Sequence, residues 1–139
     1  MILYQLTYIS KKSKDCTDRE INEILASSQK NNSKDKITGI LIEYKKHFLQ
    51  YLEGDPIVVY ELFEKIKKDK RHEGIFLAKF DKIETRNFER WTMVYRNLDR
   101  PEESKFVSKS DVPQKMEDVL NKHEFWKTID VIEFMSNLK

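Results

Sequence analysis

The chain has one cysteine, three glycines and three prolines among its 139 residues, and this scarcity excludes several kinds of protein. Its single thiol, Cys16, cannot form a disulfide within the chain, which is typical of proteins of the reducing cytoplasm. With so few glycines and prolines there is no flexible low-complexity linker, and there is no Gly-rich loop of the kind that binds phosphate groups. We therefore expect a chain that is folded throughout and resides in the cytoplasm.

A strong charge of one sign and long hydrophobic runs are also missing. The 26 basic and 24 acidic residues give a net charge of only +2, and no face stands out as basic. No apolar run reaches the length of a membrane-spanning helix, and the first residues lack the features of a signal peptide. The histidines are too scattered for a metal site, and His47 and His123 are expected at the surface. Nucleic acid, membrane and metal are therefore not expected as partners.

What the chain does have is enough apolar sequence for one compact domain, with 39% hydrophobic and 36% charged residues. Residues 2–10 predict a strand whose apolar row ends at Tyr8. Thr17 begins a capping box, so a helix is expected to follow it, with an apolar face that turns polar at Asn31 and Asn32. An asparagine at a helix end is ordinarily a C-cap, so one of these two is also a candidate for that role.

The chain then alternates again between strand and helix patterns. Residues 36–44 and 47–53 predict a hairpin, although the turn between them lacks glycine and asparagine. Asp55 as N-cap and Pro56 at the first helical position predict a second helix. The polar end of that helix is expected to hold Asp69, Arg71 and His72.

Two further strands, at residues 74–84 and 91–95, complete the order βαββαββ. Right-handed crossovers put both helices on one face of a single antiparallel-rich sheet, so the predicted class is α+β with a ferredoxin-like plan. Residues 1–95 form this predicted core, and residues 96–139 form a C-terminal extension. The extension predicts two helices within residues 111–138 that cover the other face of the sheet.

Gln50 is a polar residue on an otherwise apolar strand face, which it shares with Phe48 and Leu52. A buried amide without a partner costs about 1 to 3 kcal/mol, so a polar group is expected beside it. The same plan brings Ile24 on one helix close to Ile66 on the other, near the polar ends of those helices. A flat aromatic ligand such as a flavin would gain dispersion between two aliphatic side chains, while the glutamine and the two asparagines served its polar edge.

Six motifs follow one another at intervals that resemble a known family. They are Tyr8-Ile9-Ser10, Ser27-Ser28-Gln29-Lys30-Asn31-Asn32, Ile37-Thr38-Gly39, Phe48-Leu49-Gln50 with Leu52-Glu53-Gly54, Asp69-Lys70-Arg71-His72, and Arg86-Asn87-Phe88 with Trp91-Thr92-Met93. Together they are similar to the BLUF family of blue-light sensors using FAD, over about residues 2–95. Each motif alone would be weak, and their order and spacing make the resemblance specific.

The resemblance implies a role for each matched position. Tyr8 and Gln50 would form the photoactive pair, and Trp91 and Met93 would exchange places near the flavin and move the last strand. The implied flavin contacts, besides Gln50, are Ile24 and Ile66 on the two ring faces, Asn31 and Asn32 at the polar edge, and Ser28, Phe48, Lys65, Asp69, Arg71 and His72. The implied cofactor is FAD, although FMN or riboflavin would present the same ring.

Blue light would then act through electron and proton transfer. A tyrosine with a pKa of about 10 is neutral in the dark, so Tyr8 can supply an electron and then a proton to an excited flavin. Gln50 carries a donor and an acceptor at one tip, so it can bridge the phenol to the flavin and relay the proton. The resemblance implies that the amide is left rotated or tautomerised, which slightly shifts the flavin absorption to the red.

The expected protein is thus a sensor and not an enzyme, and its extension is too short for a cyclase or phosphodiesterase domain. The signal is expected to leave through a homo-oligomer or a separate partner protein. Two alternatives remain open. An acylphosphatase-like hydrolase on the same plan would need an anion-binding loop after the first strand, where residues 11–14 supply charge but no glycine. A light-blind interaction module is the second alternative, because each of these residues alone is more often an ordinary core, cap or surface residue.

Overall fold

The computed structural model describes residues 2–88, 93–100, 102 and 105–106, and within them it contains two helices and six strands. The helices are α1 (Asp18–Asp35) and α2 (Pro56–Lys67), and the strands are β1 (Leu3–Lys12), β2 (Thr38–Tyr44), β3 (His47–Gly54), β4 (His72–Ile83), β5 (Val94–Asn97) and β6 (Lys105–Phe106). The strands lie side by side in the order β4-β1-β3-β2-β5-β6. Only β2 and β5 run parallel among these neighbours. The predicted βαββαββ order and ferredoxin-like α+β plan are confirmed for β1 to β5, although β5 ends two residues later than predicted and β6 was not predicted.

Both helices pack on the same face of the sheet. Leu25 of α1 and Phe63 of α2 belong to one buried cluster with Leu52 of β3, while Tyr51 and Phe88 belong to a second cluster on the opposite face. No helix among the described residues is long and apolar enough to span a bilayer. The helices predicted within residues 111–138 lie outside the described residues, as do residues 91 and 92 at the start of the last predicted strand.

Both helices begin at the residues that their capping patterns predict. The Thr17 backbone N–H donates to the Glu20 carboxylate at 2.7 Å, which is half of the capping box. The Asp55 carboxylate accepts hydrogen bonds from the backbone N–H groups of Ile57 and Val58 at 3.0 and 3.2 Å, and proline occupies the first helical position. Local sequence therefore determines where each helix starts.

Helix α1 extends past the two asparagines at which its polar end was predicted. It continues to Asp35, and the left-handed residue that follows it is Lys36, with a φ of 56°. The Asn32 carbonyl accepts the backbone N–H groups of both Lys36 and Ile37. The interpretation of Asn31 or Asn32 as the C-cap is therefore wrong, and both lie on the body of the helix.

Helix α2 is shorter than predicted, and β4 begins earlier. The helix ends at Lys67, so Asp69 and Arg71 lie in the connecting turn and not at a helix end. His72 is the first residue of β4, because the strand continues its pairing with β1 past an irregularity that contains Gly74. Gly74 has a φ of +60°, which a residue without a side chain adopts at little cost.

The hairpin turn between β2 and β3 forms without glycine. Lys45 and Lys46 both adopt left-handed conformations, with φ values of 47° and 64°, and the Lys45 N–H donates to the Asp99 carboxylate at 2.8 Å. His47 follows the turn and is only 7% exposed, so the surface position predicted for it is wrong. Its strand is flanked by neighbours on both sides, and its ring is bonded to the Lys45 carbonyl at 2.9 Å.

A fully buried carboxylate, that of Glu53, joins the hairpin to the segment that precedes β5. One of its oxygens accepts hydrogen bonds from the Tyr51 hydroxyl at 2.9 Å and the Asn87 N–H at 2.8 Å. The other accepts from the Thr38 hydroxyl and the Phe88 N–H, both at 2.7 Å. Each oxygen thus serves one hydroxyl and one backbone N–H, and the chain around residue 88 is held against β3.

We expect Glu53→Gln to destabilise the fold without changing its shape. An amide keeps one oxygen, so whichever position its nitrogen takes, one backbone N–H loses its acceptor, at about 1 to 3 kcal/mol. Urea unfolding should show this loss relative to Glu61→Gln, which replaces an exposed glutamate of α2. Equal midpoints for the two variants would contradict the role of the network.

Candidate functional site

A cleft of about 230 Å³ lies between α1 and α2. Its lining includes Tyr8 and every residue that the sequence predicted as a cofactor contact: Ile24, Ser28, Asn31, Asn32, Phe48, Gln50, Lys65, Ile66, Asp69, Arg71 and His72. Strands β1, β2 and β3 supply the floor, the two helices supply the walls, and the turn after α2 supplies one end. The structure thus brings together residues that are up to 64 positions apart, from Tyr8 to His72.

Three residues of the lining, Ser27, Leu41 and Leu62, were not predicted. Leu41 lies directly opposite Gln50 in the β2–β3 hairpin, a register that follows from the two-residue turn. Ser27 and Leu62 each lie one helical turn before a predicted residue on the same helix face. The signal for all three was present in the periodicity of the elements.

Tyr8 and Gln50 form a direct cross-strand pair on the floor of the cleft. They are opposite each other in the register of β1 and β3, and both side chains are buried. The Tyr8 hydroxyl donates to the Gln50 Oε1 atom at 2.5 Å, which is short for a hydrogen bond. The buried amide of Gln50 therefore has its polar partner on the neighbouring strand β1.

The environment of Tyr8 keeps its phenol protonated. Burial, and secondarily the negative charge of Asp69, raise the pKa of Tyr8 far above its ordinary value. The ring packs against Phe63 with centroids 5.6 Å apart and meets the His72 ring edge-on at 5.8 Å. The hydroxyl is thus held neutral and aimed at one acceptor.

The other end of the Gln50 amide faces a much weaker partner. Its Nε2 atom lies 3.8 Å from the sulfur of Met93, which is fully buried just before β5. A thioether is a poor acceptor, so this contact holds the amide nitrogen only loosely. Met93 therefore contacts the amide, although it does not line the cleft. Trp91 lies outside the described residues.

The α1 wall presents one helix face to the cleft. Ile24, Ser28 and Asn31 are spaced by four and three residues, so they lie above one another on that face. The Asn31 side-chain nitrogen is 3.4 Å from the Ser27 hydroxyl, and Asn32 is only 2% exposed. This wall is therefore aliphatic at one end and carries two carboxamides at the other.

The turn after α2 places an ion pair at the end of the cleft. The Arg71 Nε atom donates to both carboxylate oxygens of Asp69, at 2.9 and 3.1 Å, and the two side chains are 32% and 29% exposed. Hydrogen bonding from Arg71 lowers the pKa of Asp69, and the same bond raises the pKa of Arg71. With the exposed Lys65 nearby, the end of the cleft carries positive charge that suits an anionic or polar ligand tail.

His72 connects the end of α2 to β1. One ring nitrogen, Nε2, is 2.8 Å from the Ile66 carbonyl, and the other, Nδ1, is 2.7 Å from the Ser10 hydroxyl. Because a carbonyl only accepts, Nε2 carries a proton, and a neutral ring accepts from Ser10 at Nδ1. These bonds fix the position of Ile66 relative to the strand that carries Tyr8.

The loop after β1 does not form the anion site that a hydrolase of this plan requires. The backbone N–H groups of Ser13 and Cys16 donate to the Arg71 carbonyl and the Ser13 carbonyl, at 2.9 and 3.0 Å. These donors are used within the protein and do not converge on an external anion. No cluster of three metal-ligating side chains occurs in the part of the chain that the structure describes.

Comparison with known proteins identifies a family to which this chain is similar. The family model described as "BLUF: Sensors of blue-light using FAD" matches residues 3–94. Photoactivated adenylate cyclase subunit beta of Euglena gracilis is 28% identical over 92 residues, which cover 66% of this chain and 11% of that protein. This chain therefore spans about a tenth of the length of the curated relatives it matches.

Solved structures agree with the family model. BlrB, described as a BLUF protein in its dark state, is 33% identical with a TM-score of 0.67, over 69% of this chain and 73% of that chain. The photo-activated state of BlsA is 34% identical with a TM-score of 0.66, over 68% and 69%. A bacterial light-regulated adenylyl cyclase is 32% identical with a TM-score of 0.69, over 94% of this chain but 36% of that one. The family model matches residues 3–94, which are well over half of this chain. This chain therefore belongs to the BLUF family of sensor modules, the sensors of blue light that use FAD.

Proposed function

We propose that this chain is a blue-light photoreceptor that holds FAD in the cleft between α1 and α2 and responds through Tyr8 and Gln50. The observation that carries this proposal is the buried 2.5 Å hydrogen bond from the Tyr8 hydroxyl to the Gln50 amide on the floor of that cleft. It joins an oxidisable phenol to a group that can both accept and donate a proton. A structural pair in a closed core would not need to line a cleft.

The residues present fit a flavin ring. Ile24 and Ile66 stand on opposite helices, so each would cover one face of a flat ring, and the carboxamides of Asn31 and Asn32 would serve its carbonyl and imide edge. A cleft of about 230 Å³ suits a single ring system. The remainder of the cofactor would extend past Lys65, so FMN or riboflavin could present the same ring.

The chain's own residues supply the response. When bound and excited by blue light, a flavin provides a strong one-electron oxidant. Tyr8 is neutral because burial raises its pKa, so it gives an electron first and then passes its proton to Gln50. The Gln50 amide is held strongly at its oxygen and weakly at its nitrogen. Rotation would exchange the two ends, so the nitrogen would give up only its weak contact with the Met93 sulfur and would donate to the Tyr8 oxygen in its new position.

The signal would leave the cleft through Met93 and the last strands. Met93 contacts the amide and directly precedes β5, which pairs with β2 on one side and β6 on the other. A rotated Gln50 amide would change its contact with Met93. Together with a movement of Trp91, this change would shift β5 relative to the rest of the sheet. We further propose that residues 96–139, which begin within β5 and include β6, pass the shift from the sensor core of residues 1–95 to a second copy or a partner protein.

Flavin affinity tests the proposed binding site. Ile66→Ala removes three carbons from one wall of the cleft and should weaken flavin binding about tenfold, which corresponds to roughly 1.4 kcal/mol. Titration of flavin fluorescence gives the dissociation constant directly. Ile57→Ala is the matched control, because Ile57 lies on the same helix and is 69% exposed. An unchanged dissociation constant for Ile66→Ala would remove Ile66 from the site.

A further inference from the structure

A row of aromatic rings leads from the floor of the cleft to the protein surface. Tyr8 contacts Phe63 with centroids 5.6 Å apart, and Phe63 contacts Tyr60 at 6.0 Å. Tyr60 is 40% exposed, whereas Tyr8 and Phe63 are each 3% exposed. The rings are in contact at every step, so an electron can pass from the surface tyrosine to the buried one with Phe63 as the only bridge.

Tyr60 also has a proton acceptor beside its hydroxyl. Its hydroxyl lies beside the Glu64 carboxylate one helical turn later, and the pKa of Glu64 is lowered chiefly by hydrogen bonding with Lys67 and to a smaller extent by Tyr60. Lys67 pairs with Glu64 at 2.8 Å and places its ammonium 5.3 Å from the centre of the Phe63 ring. A phenol that loses an electron becomes a strong acid, so a solvated carboxylate at this position accepts the released proton.

We propose that Tyr60 is a surface electron-relay residue, and that through it the protein carries out a second light-driven activity, the reduction of its bound flavin by external thiols. This inference rests on the proposed function, because it needs a flavin that oxidises Tyr8. After the light-driven step Tyr60 reduces oxidised Tyr8, and a thiol then reduces oxidised Tyr60 at the surface.

Each step of the relay balances in electrons and protons. Tyr8 gives one electron and one proton to the excited flavin. Tyr60 then gives one electron to oxidised Tyr8 and its proton to Glu64, while Tyr8 takes up a proton from water in the cleft. A thiol gives a hydrogen atom to Tyr60, and Glu64 releases its proton to solvent. Over two such events two thiols become one disulfide, and the flavin gains two electrons and two protons.

The two tyrosines differ in their surroundings, and this difference favours electron transfer from Tyr60 to Tyr8. Tyr8 is enclosed, and its hydroxyl faces an uncharged amide. Tyr60 is partly solvated, and its hydroxyl faces a carboxylate. Loss of an electron and a proton is therefore easier at Tyr60 than at Tyr8, and the oxidised site moves from the cleft to the surface.

Continuous blue light on the full chain with bound flavin, without oxygen and with added glutathione, tests the relay. We expect the flavin absorbance of the wild type to bleach and glutathione disulfide to accumulate. Tyr60→Phe should lose most of both signals while keeping its reversible red shift, and Tyr60→Trp, which is again oxidisable, should restore them. Tyr44→Phe is the control, since Tyr44 is partly exposed on the opposite face of the sheet and outside the row.

A readout other than flavin absorbance comes from omitting the thiol. Surface tyrosyl radicals couple to each other, so illuminated wild type should form covalent dimers joined at Tyr60, seen by mass spectrometry of the linked peptide. Equal bleaching of the wild type and Tyr60→Phe, or a red shift without any bleaching or dimers, would overturn the relay alone. A wild type that binds flavin and shows no red shift would instead overturn the proposed function.

Discussion

Replacing Gln50 by leucine is expected to leave a flavin-bound protein that shows no light-induced red shift. Leucine is close to glutamine in volume and suits the apolar neighbours Phe48 and Leu52 on the same face. It removes the oxygen that accepts from Tyr8 and the nitrogen that faces Met93. With no amide to rearrange, the shift should be absent and not merely smaller.

The fold should tolerate this change at a moderate cost. The Tyr8 hydroxyl loses its acceptor in a buried position, which costs about 1 to 3 kcal/mol. Gln5→Leu is the matched control, because Gln5 is also a buried strand glutamine, 2% exposed, and donates to Asp81 on the opposite face of the sheet. It should show a comparable loss of stability with a normal red shift. A normal red shift in Gln50→Leu would refute the role proposed for this amide.

Replacing Tyr8 by phenylalanine is expected to abolish the same red shift by removing the electron and proton donor. The phenyl ring keeps the contacts with Phe63 and His72, so flavin binding should persist. Absorption spectra before and after blue light measure the effect, and time-resolved spectra should show a longer-lived excited flavin because its quencher is gone.

Tyr51→Phe separates the photochemical role of Tyr8 from loss of a buried hydroxyl in general. Tyr51 is fully buried on the opposite face of the sheet, and its pKa is also raised, chiefly by burial and then by Glu53. Its removal should destabilise the fold and leave the red shift intact. A red shift of normal size in Tyr8→Phe, or its loss in Tyr51→Phe, would contradict the assignment.

The raised pKa of Tyr8 also predicts how the protein responds to alkali. The unfolded chain ionises this phenol near pH 10, whereas the folded chain holds it protonated to a higher pH. Its contribution to stability is therefore intact below about pH 10 and is lost as the pH rises further. Tyr8→Phe should lose less stability than the wild type between neutral pH and the alkaline range, as measured by circular dichroism during urea unfolding.

Much of the fold was predictable because its signals are local. The capping box at Thr17, the N-cap at Asp55 and the two-residue turn at Lys45 all lie within a few residues of the elements they define. The apolar periodicity of each strand then indicated the face on which Tyr8 and Gln50 lie. The cross-strand register that makes these two direct partners depends on β1 meeting β3, and no local pattern specifies it.

The errors have both local and distant causes. Local pattern favoured an earlier end to α1 at the asparagines, but the helix continues to Asp35 because Lys36 adopts the left-handed conformation instead. His47 is polar, and its burial follows only from neighbouring strands on both sides. The hydrogen-bond network of Glu53 was not predicted. Two of the four groups that donate to its carboxylate are backbone N–H groups of residues 87 and 88, which are distant in sequence.

A difference spectrum of the purified wild-type chain, recorded before and after blue light, tests whether the chain is a flavin-based light sensor. We expect a yellow protein whose flavin absorption shifts slightly to the red on illumination and returns in darkness. A colourless protein that does not take up added flavin, or a flavin-bound protein with an unchanged spectrum, would contradict it and would favour a light-blind interaction module.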